Sequence, residues 1–198
     1  SVAASYANTF FIKSDGSLWA MGENYQGQLG KGDSGGSWNT YDSVDSNVPV
    51  KIVDNGVIAA AAEQHHSLFV KSDGSLWAMG GNQFGQLGDG TTTQRNSPVQ
   101  ILASGVVAVD AGYQHSFFIK NDGSLWAMGH NHFGQLGDGS TTDRHSPVAV
   151  SGLQADPAAQ LATNHFGWHM LVLQPDGTAV GWGKNDYGQL GDGTKFDK

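Results

Sequence analysis

Apolar residues along this chain come in short runs of three to six, never in the spacing of a helix face. Phe10–Ile12, Leu68–Val70 and Phe117–Ile119 are apolar at consecutive positions, too short for helices and rich in aromatic and β-branched side chains. Each run is followed by an Asp-Gly turn and then by Leu-Trp-Ala-Met-Gly, as in Asp73-Gly74 followed by Leu76–Gly80. Asp-Gly between two apolar runs predicts a hairpin, because glycine takes a positive φ at no steric cost. Consecutive apolar positions predict strands covered on both faces. Further strands are predicted at Val2–Ser5, Pro49–Val53, Val57–Ala61, Pro98–Leu102, Val106–Ala111 and Pro147–Val150.

These units recur. Phe10–Gly30, Leu68–Gly88, Phe117–Gly137 and Leu171–Gly191 align with one another, and their Asp-Gly pairs begin at residues 15, 73, 122 and 176. The spacings are 58, 49 and 54, and Gly-Gln-Leu-Gly repeats with the same spacings. The base period is therefore 49, with surplus residues between Leu29 and Pro49 and between Pro147 and Asp176. About four strands per period of roughly 50 residues predict an all-β protein, a β-propeller of four-stranded blades. The repeats run approximately over 1–56, 57–105, 106–159 and 160–198, the last incomplete, in one array over 1–198.

Two motifs carry a family resemblance. Gly112-Tyr-Gln-His115-Ser followed by Asp122-Gly, Trp-Ala-Met-Gly and Asn131-His-Phe-Gly-Gln-Leu-Gly resembles the repeat of the regulator of chromosome condensation family. The fourth repeat, with Gly181-Trp182-Gly183 and Asn185-Asp-Tyr-Gly-Gln-Leu-Gly, comes closer still. Met21, Met79 and Met128 stand where the family usually has tryptophan, and Trp19, Trp77 and Trp126 are expected to compensate in the core. The resemblance implies a propeller, typically of seven blades. This chain holds about three and three-quarter repeats, so it is expected to be a portion of a larger propeller. The competing expectation is a homodimer that completes a ring. The first is favoured because an open arc exposes apolar blade faces.

Composition narrows the functional classes. The 198 residues include 29 glycines and no cysteine, which excludes disulfides, thiolate metal sites and a cysteine nucleophile. A formal net charge of −8 argues against nucleic acid as a partner. No apolar run approaches the roughly 18–20 residues of a membrane span. Seven of the 16 aspartates directly precede glycine, so much of the acidity is turn chemistry. Absence of cysteine, sparse charge and abundant small polar residues predict an exported bacterial protein, extracellular or on the cell surface.

Candidate chemistry is thin. His66, His115 and His169 share one repeat position, held by Asn8 in the first repeat, and are expected to be inter-blade hydrogen-bonding groups and not metal ligands. Asp89, Asp138 and Asp192 lack calcium-loop spacing, with Lys31 at the same place in the first repeat. Arg95 and Arg144, the only arginines, are expected to clamp loop carbonyls or carboxylates. No nucleophile elbow or phosphate loop is present, so no catalytic residue, metal or cofactor is predicted.

What varies is the pair inside Asn-x-x-Gly-Gln-Leu-Gly: Tyr25-Gln26, Gln83-Phe84, His132-Phe133 and Asp186-Tyr187. Tyr25, Phe84, His132, Phe133, Asp186 and Tyr187 are the candidate binding residues, with Trp38 and Tyr41 of the 31–48 insertion. Aromatics on rigid loops suit a protein partner, and a lectin-like, glycan-stacking module is the alternative. Sideways packing of these aromatics against the neighbouring blade is an equally open outcome. The expected function is a non-enzymatic scaffold for protein–protein recognition.

Overall fold

The computed structural model describes residues 1–35, 44–155, 162–163 and 167–198. Among these residues there are strands, turns and bends but no helix. The first sheet contains β1 (Val2–Ala4), β2 (Asn8–Ile12), β3 (Leu18–Gly22) and β4 (Ser46–Val53). The second contains β5 (Val57–Ala62), β6 (His66–Lys71), β7 (Leu76–Gly80) and β8 (Arg95–Leu102). The third contains β9 (Val106–Gly112), β10 (His115–Lys120), β11 (Ser124–Gly129) and β12 (Arg144–Gln154). The fourth contains β13 (Ala162–Thr163), β14 (His169–Leu173) and β15 (Ala179–Gly183). Each sheet is an antiparallel meander in chain order.

The Asp-Gly hairpins form as expected, by a turn followed by a left-handed glycine. Gly16 donates its N–H to the carbonyl of Lys13 at 3.0 Å, and Lys13 donates to Ser17 at 3.1 Å. Asp15 accepts from the Ser17 amide and hydroxyl at 2.9 and 2.6 Å, closing the turn from the side-chain side. The predicted fourth strands begin three residues before their prolines, at Ser46, Arg95 and Arg144. Pairing there tolerates proline because the fourth strand has only one partner strand.

The first strands of successive sheets touch one another, β1 with β5, β5 with β9 and β9 with β13, so they lie innermost. Three apolar layers separate the four sheets. Phe10, Leu18 and Leu29 meet Val57, Phe69 and Met79. Leu68, Leu76 and Leu87 meet Val106, Phe118 and Met128. Phe117, Leu125 and Leu136 meet Met170, Val172 and Trp182. Leu68 and Phe69 are neighbours in sequence yet belong to different layers, as do Phe117 and Phe118. That is the physical origin of the consecutive apolar runs. A fully buried side chain of this size stabilises the fold by roughly 1.5–3 kcal/mol.

The three tryptophans expected to compensate in the core do not fill it. Met79 and Met128 are themselves fully buried in the layers. Trp19, Trp77 and Trp126 are half-buried and stack on Phe11, Phe69 and Phe118, with ring centroids 6.2, 6.1 and 6.2 Å apart. Each indole N–H donates to a serine hydroxyl at 2.9 Å, and a lysine covers each ring (Lys13, Lys71, Lys120). A polar N–H that reaches the hairpin serine would be orphaned deeper in the layer, which keeps these rings at its edge.

In the fourth sheet the chemistry is redistributed. Ser67 pairs across the strands with Met79, and Ser116 with Met128, whereas Met170 pairs with Trp182. The serine hydroxyls donate to the carbonyls of Gln28 and Gln86 in the preceding sheet. Trp182 Nε1 donates to the equivalent carbonyl of Gln135 at 2.8 Å. Glycine ends the preceding loop because the intruding side chain needs its space. A Cβ on Gly88, whose φ is +76°, would lie 2.4 Å from Met128 Sδ.

Candidate functional site

In a meander the β1–β2 turns and the β3–β4 loops emerge at the same end of each sheet, and the Asp-Gly hairpins at the other. The loop end carries the candidate binding residues. Its loops are held by two invariable side chains of the repeat. Asn82 is fully buried; its amide donates to Asp89 Oδ1 and to the carbonyls of Thr91 and Thr93, and its oxygen accepts from Leu87 N–H at 3.0 Å. Asn131 and Asn185 repeat this arrangement. Gln86, Gln135 and Gln189 each accept the amide N–H of the variable aromatic residue, at 3.0, 2.9 and 2.9 Å. Backbone direction is thereby fixed while the side chain remains free to differ.

Arg95 and Arg144 do act as clamps. Their Nε atoms donate to Asp89 and Asp138 at 2.7 and 2.6 Å. In the first sheet the charges are exchanged: Lys31 stands at the aspartate position and pairs with Asp33 at 2.6 Å, and Asn24 donates to Asp33. The hydroxyls and amides of Thr91 and Ser140 are bound to Asp89 and Asp138, so turn closure accounts for these carboxylates.

The expectation of inter-blade histidines holds unevenly. His66 Nε2 lies 2.8 Å from Ser116 Oγ, whose own proton goes to Gln86, so Nε2–H is the donor. Asn8 likewise reaches across to the carbonyl of Glu63 at 3.2 Å. His115 instead bonds locally to the Tyr113 carbonyl, and its Nε2 is buried without a partner. Methionine, Met170, replaces the serine it would meet in the next sheet. Burial holds both rings neutral, His66 at about 3 and His115 at about 4.

The structure sorts the candidate residues into two sets. The second variable position packs sideways on the residue preceding asparagine in the next sheet. Gln26 lies over Gly81, Phe84 meets His130 edge-on at 4.7 Å, and Phe133 is covered by Lys184 at 5.0 Å. Phe84 and Phe133 are therefore half-buried inter-sheet contacts. His132, Asp186 and Tyr187 are exposed, Asp186 pairing with Lys184 at 3.1 Å and Tyr187 being 88% accessible. Tyr25, half-buried, points its ring edge to His65 at 5.9 Å. Trp38 and Tyr41 lie outside the described residues.

A second set of loops, missed in the sequence, completes this surface. The β5–β6, β9–β10 and β13–β14 turns carry His65, Tyr113 and Trp168. They are bound to the asparagine loops by backbone hydrogen bonds: Gly81 N–H to His65, His130 N–H to Gln114 and Lys184 N–H to Trp168. Gln114 adopts a positive φ of 67° to make that contact. The result is a continuous aromatic ridge. Ring centroids step from Tyr25 to His65 (5.9 Å), to Tyr113 (5.6 Å), to Trp168 (5.4 Å), and on to His130 (4.7 Å) and Phe133 (5.1 Å). The signal was present: the residues just before the histidine position differ in every repeat, with Tyr6-Ala7, Gln64-His65, Tyr113-Gln114 and Gly167-Trp168.

Electrostatics at the ridge are dominated by desolvation. Glu63, just before His65, has a fully buried side chain, and burial pushes its carboxyl up to about 7. Burial and the nearby Asp45 raise Glu23. Burial together with Glu23 raises the Tyr25 hydroxyl to about 12. His65 and His130 are held down by burial. Among the described residues no group of three or more His, Cys, Asp or Glu could gather round a metal ion, and no helix is long and apolar enough to cross a membrane.

A family model described as "Regulator of chromosome condensation (RCC1) repeat" matches residues 15–70, 73–119 and 122–163, and a second of the same description matches 1–28 and 106–135. The Ultraviolet-B receptor UVR8 of Arabidopsis thaliana is 31% identical over 203 residues, covering 100% of this chain and 44% of its own. Protein RCC2 of Homo sapiens is 35% identical over 88 residues, covering 44% of this chain and 16% of its own. The chain thus spans less than half the length of these curated relatives. Among solved structures, human WBSCR16 superimposes over 100% of this chain and 50% of its own, with a TM-score of 0.79 and 24% identity. Prp20p of Saccharomyces cerevisiae, described with its binding to Gsp1p and histones, superimposes over 100% and 48%, with a TM-score of 0.81 and 20% identity.

Proposed function

Since the chain belongs to the regulator of chromosome condensation (RCC1) repeat family, a family of β-propellers, we propose that it is a non-enzymatic scaffold whose loop end recognises a protein partner. The observation that carries this is the ridge from Tyr25 through His65, Tyr113 and Trp168 to Phe133, built by loops of all four sheets. Aromatic side chains on loops held by asparagine and glutamine, and on turns tied to those loops by backbone hydrogen bonds, lose little entropy on binding, which makes them effective anchors. Protein binding is also what Prp20p is described as doing, with Gsp1p and histones. In the same proposal the protein is exported, on the compositional grounds of no cysteine and 14% charged residues.

Glycan stacking fits this geometry less well. A sugar needs an open ring face, whereas Phe84 is met by His130 and Phe133 by Lys184 and Trp168. Affinity capture by the unmodified chain, by Tyr113→Ala/Trp168→Ala, and by Lys120→Ala/Asp122→Ala at the hairpin end tests the proposal, with a glycan array run in parallel. A protein captured by the first and third but not the second is expected. Capture indifferent to the ridge, or glycan binding lost with Phe84→Ala, would overturn it.

A further inference from the structure

The only two glutamates of the chain, Glu23 and Glu63, both lie at one end of the aromatic ridge. Each is singular to its repeat. The positions equivalent to Glu63 hold Ser5 and Gly112, and those equivalent to Glu23 hold Gly81, His130 and Lys184. Asparagine, glutamine and aspartate maintain the loops of every sheet without a glutamate at either position in the other repeats, and Glu63 supports its own turn through Oε2 alone.

Their hydrogen bonding is incomplete. Glu63 has a side chain at 0% exposure; Oε2 accepts the His65 amide at 3.3 Å, and Oε1 has no partner. Glu23 Oε2 is also buried without a partner. The backbone around Glu63 is tightly held, its N–H bonded to the His66 carbonyl at 3.0 Å and its own carbonyl accepting from Asn8 at 3.2 Å. With no exposed surface, the carboxyl is also out of contact with water. A buried carboxylate calls for a cation or a donor, and without one it is costly.

Apart from Lys195, which is exposed, this chain's lysines and arginines are engaged elsewhere. Lys31, Lys51, Arg95, Arg144, Lys184 and Lys198 pair with aspartates. Lys13, Lys71 and Lys120 lie over the tryptophans of the hairpin end. Among the described residues the basic group within 4 Å of Glu63 is His65, whose Nδ1 is 3.9 Å from Oε2, beyond hydrogen-bond reach, and which burial keeps neutral. Around the two acids stand Tyr25, His65 and Tyr113, with the His65 ring edge-on between the two tyrosines. Aromatic rings beside carboxyl groups that lack a cationic partner form an environment that favours a cation by both the ring quadrupole and, once the carboxyl ionises, charge.

We propose that the aromatic cluster of Tyr25, His65 and Tyr113, with Glu63 and Glu23 as its acceptors, receives an arginine side chain of a basic protein partner. The proposal rests on the loop end being the interface, and supplies its specificity. A guanidinium fits better than an ammonium, because its planar fork offers several donors to two separate carboxylates and stacks on aromatic rings. The net charge of −8 favours the approach of such a partner. Occupancy requires the neighbouring His65 ring to shift, since its Nδ1 lies 3.9 Å from a carboxyl that has no exposed surface.

The test is NMR titration of the intact chain, observing the His65 and Tyr113 ring signals. The probes are an acetylated, amidated Gly-Arg-Gly peptide and its citrulline isostere, which keeps the shape and loses the charge. The arginine peptide is expected to shift both rings saturably, the citrulline peptide at least tenfold more weakly. Glu63→Gln is expected to weaken arginine binding at least tenfold while the chain stays folded, as judged by the unchanged Trp182 signals. Glu23→Gln, at a less buried site, provides a second variant with a smaller loss. Equal binding of the citrulline peptide, absence of any ring shift, or full affinity in both variants overturns the proposal. Partner capture lost in Tyr113→Ala/Trp168→Ala but retained in Glu63→Gln would refute the arginine site and leave the interface standing.

Discussion

The two inner sheets and the two outer ones are built from nearly the same words and are buried very differently. In β6 and β10 five consecutive residues are buried, from His66 to Val70 and from His115 to Ile119. In β2 and β14 only every second residue is buried, Asn8 and Phe10 in one and Met170 and Val172 in the other, as in a strand with one covered face. Phe118 is fully buried, and its repeat equivalent Phe11 is only half-buried. Sequence similarity between repeats therefore does not mean energetic equivalence. What a repeat contributes depends on whether a sheet stands on each side of it.

This contrast is sharpest at the phenylalanines. Phe118→Ala is expected to destabilise the chain by about 3–5 kcal/mol, the usual cost of emptying a core aromatic site. Phe11→Ala should cost about 1–2 kcal/mol, because solvent already reaches the ring and the neighbourhood can relax. Urea unfolding of both variants measures the difference, and equal losses would break the comparison.

The buried glutamate gives the next largest effect. Glu63 lies in an inner sheet with its folded-state carboxyl raised from 4.5 to about 7. A carboxyl raised on folding binds more protons in the folded state between those values, so its contribution falls as pH rises from 4.5 to 7. The loss is roughly 3 kcal/mol at full span. His66 acts in the opposite sense: its folded value of about 3 lies below the ordinary 6.5, so stability falls as pH drops through that window. Glu63→Gln is expected to raise stability at pH 8 and to leave the acid limb in place. Stability profiles against pH for the two chains check this, and an unchanged profile would show that Glu63 is not desolvated.

Smaller effects follow at the glycines and clamps. Gly88→Ala forces a Cβ against Met128 at a positive φ, whereas Gly139, also at a positive φ of 78°, opens on free space. The first should cost about 2–3 kcal/mol and the second about 1 kcal/mol, the backbone term alone. Arg95→Lys should cost under about 1 kcal/mol, because the Asp89 pair is partly exposed and screened by solvent. Thermal melts resolve this order, and a Gly139 variant as damaged as the Gly88 one would contradict it.

Much of the fold was legible because repetition multiplies each signal. The Asp-Gly hairpins, the two-faced strands and the four sheets follow from residues that recur in register. The sideways packing of Phe84 and Phe133 was open in the sequence, since it depends on what stands across the sheet boundary, His130 for one and Lys184 for the other. The ridge was only half visible. Tyr25 and His132 drew attention inside a conspicuous motif, whereas His65, Tyr113 and Trp168 occupy turns without a fixed pattern. Their meeting is a property of the stacked sheets. Glu63 was hidden for the same reason: one glutamate in a turn reads as exposed, and only its neighbours in the adjoining sheet bury it.

The family frame adds a further lesson. The matched repeat of 15–70 begins at a hairpin and ends within β6, so it spans the last two strands of one sheet and the first two of the next. Each repeat thus ties two sheets together covalently, and the loop ends come into contact as a consequence. The proposed recognition by the ridge would therefore be a property of the array and not of a single repeat.

The most direct test of that claim is site-specific photocrosslinking with a photoreactive phenylalanine at Tyr113 on the ridge or at Asp122 at the hairpin end. In an extract of cells that express the chain, a discrete, competable protein adduct is predicted from the Tyr113 site and none from the Asp122 site. Adducts of equal yield from both sites, or none from Tyr113, would contradict the account.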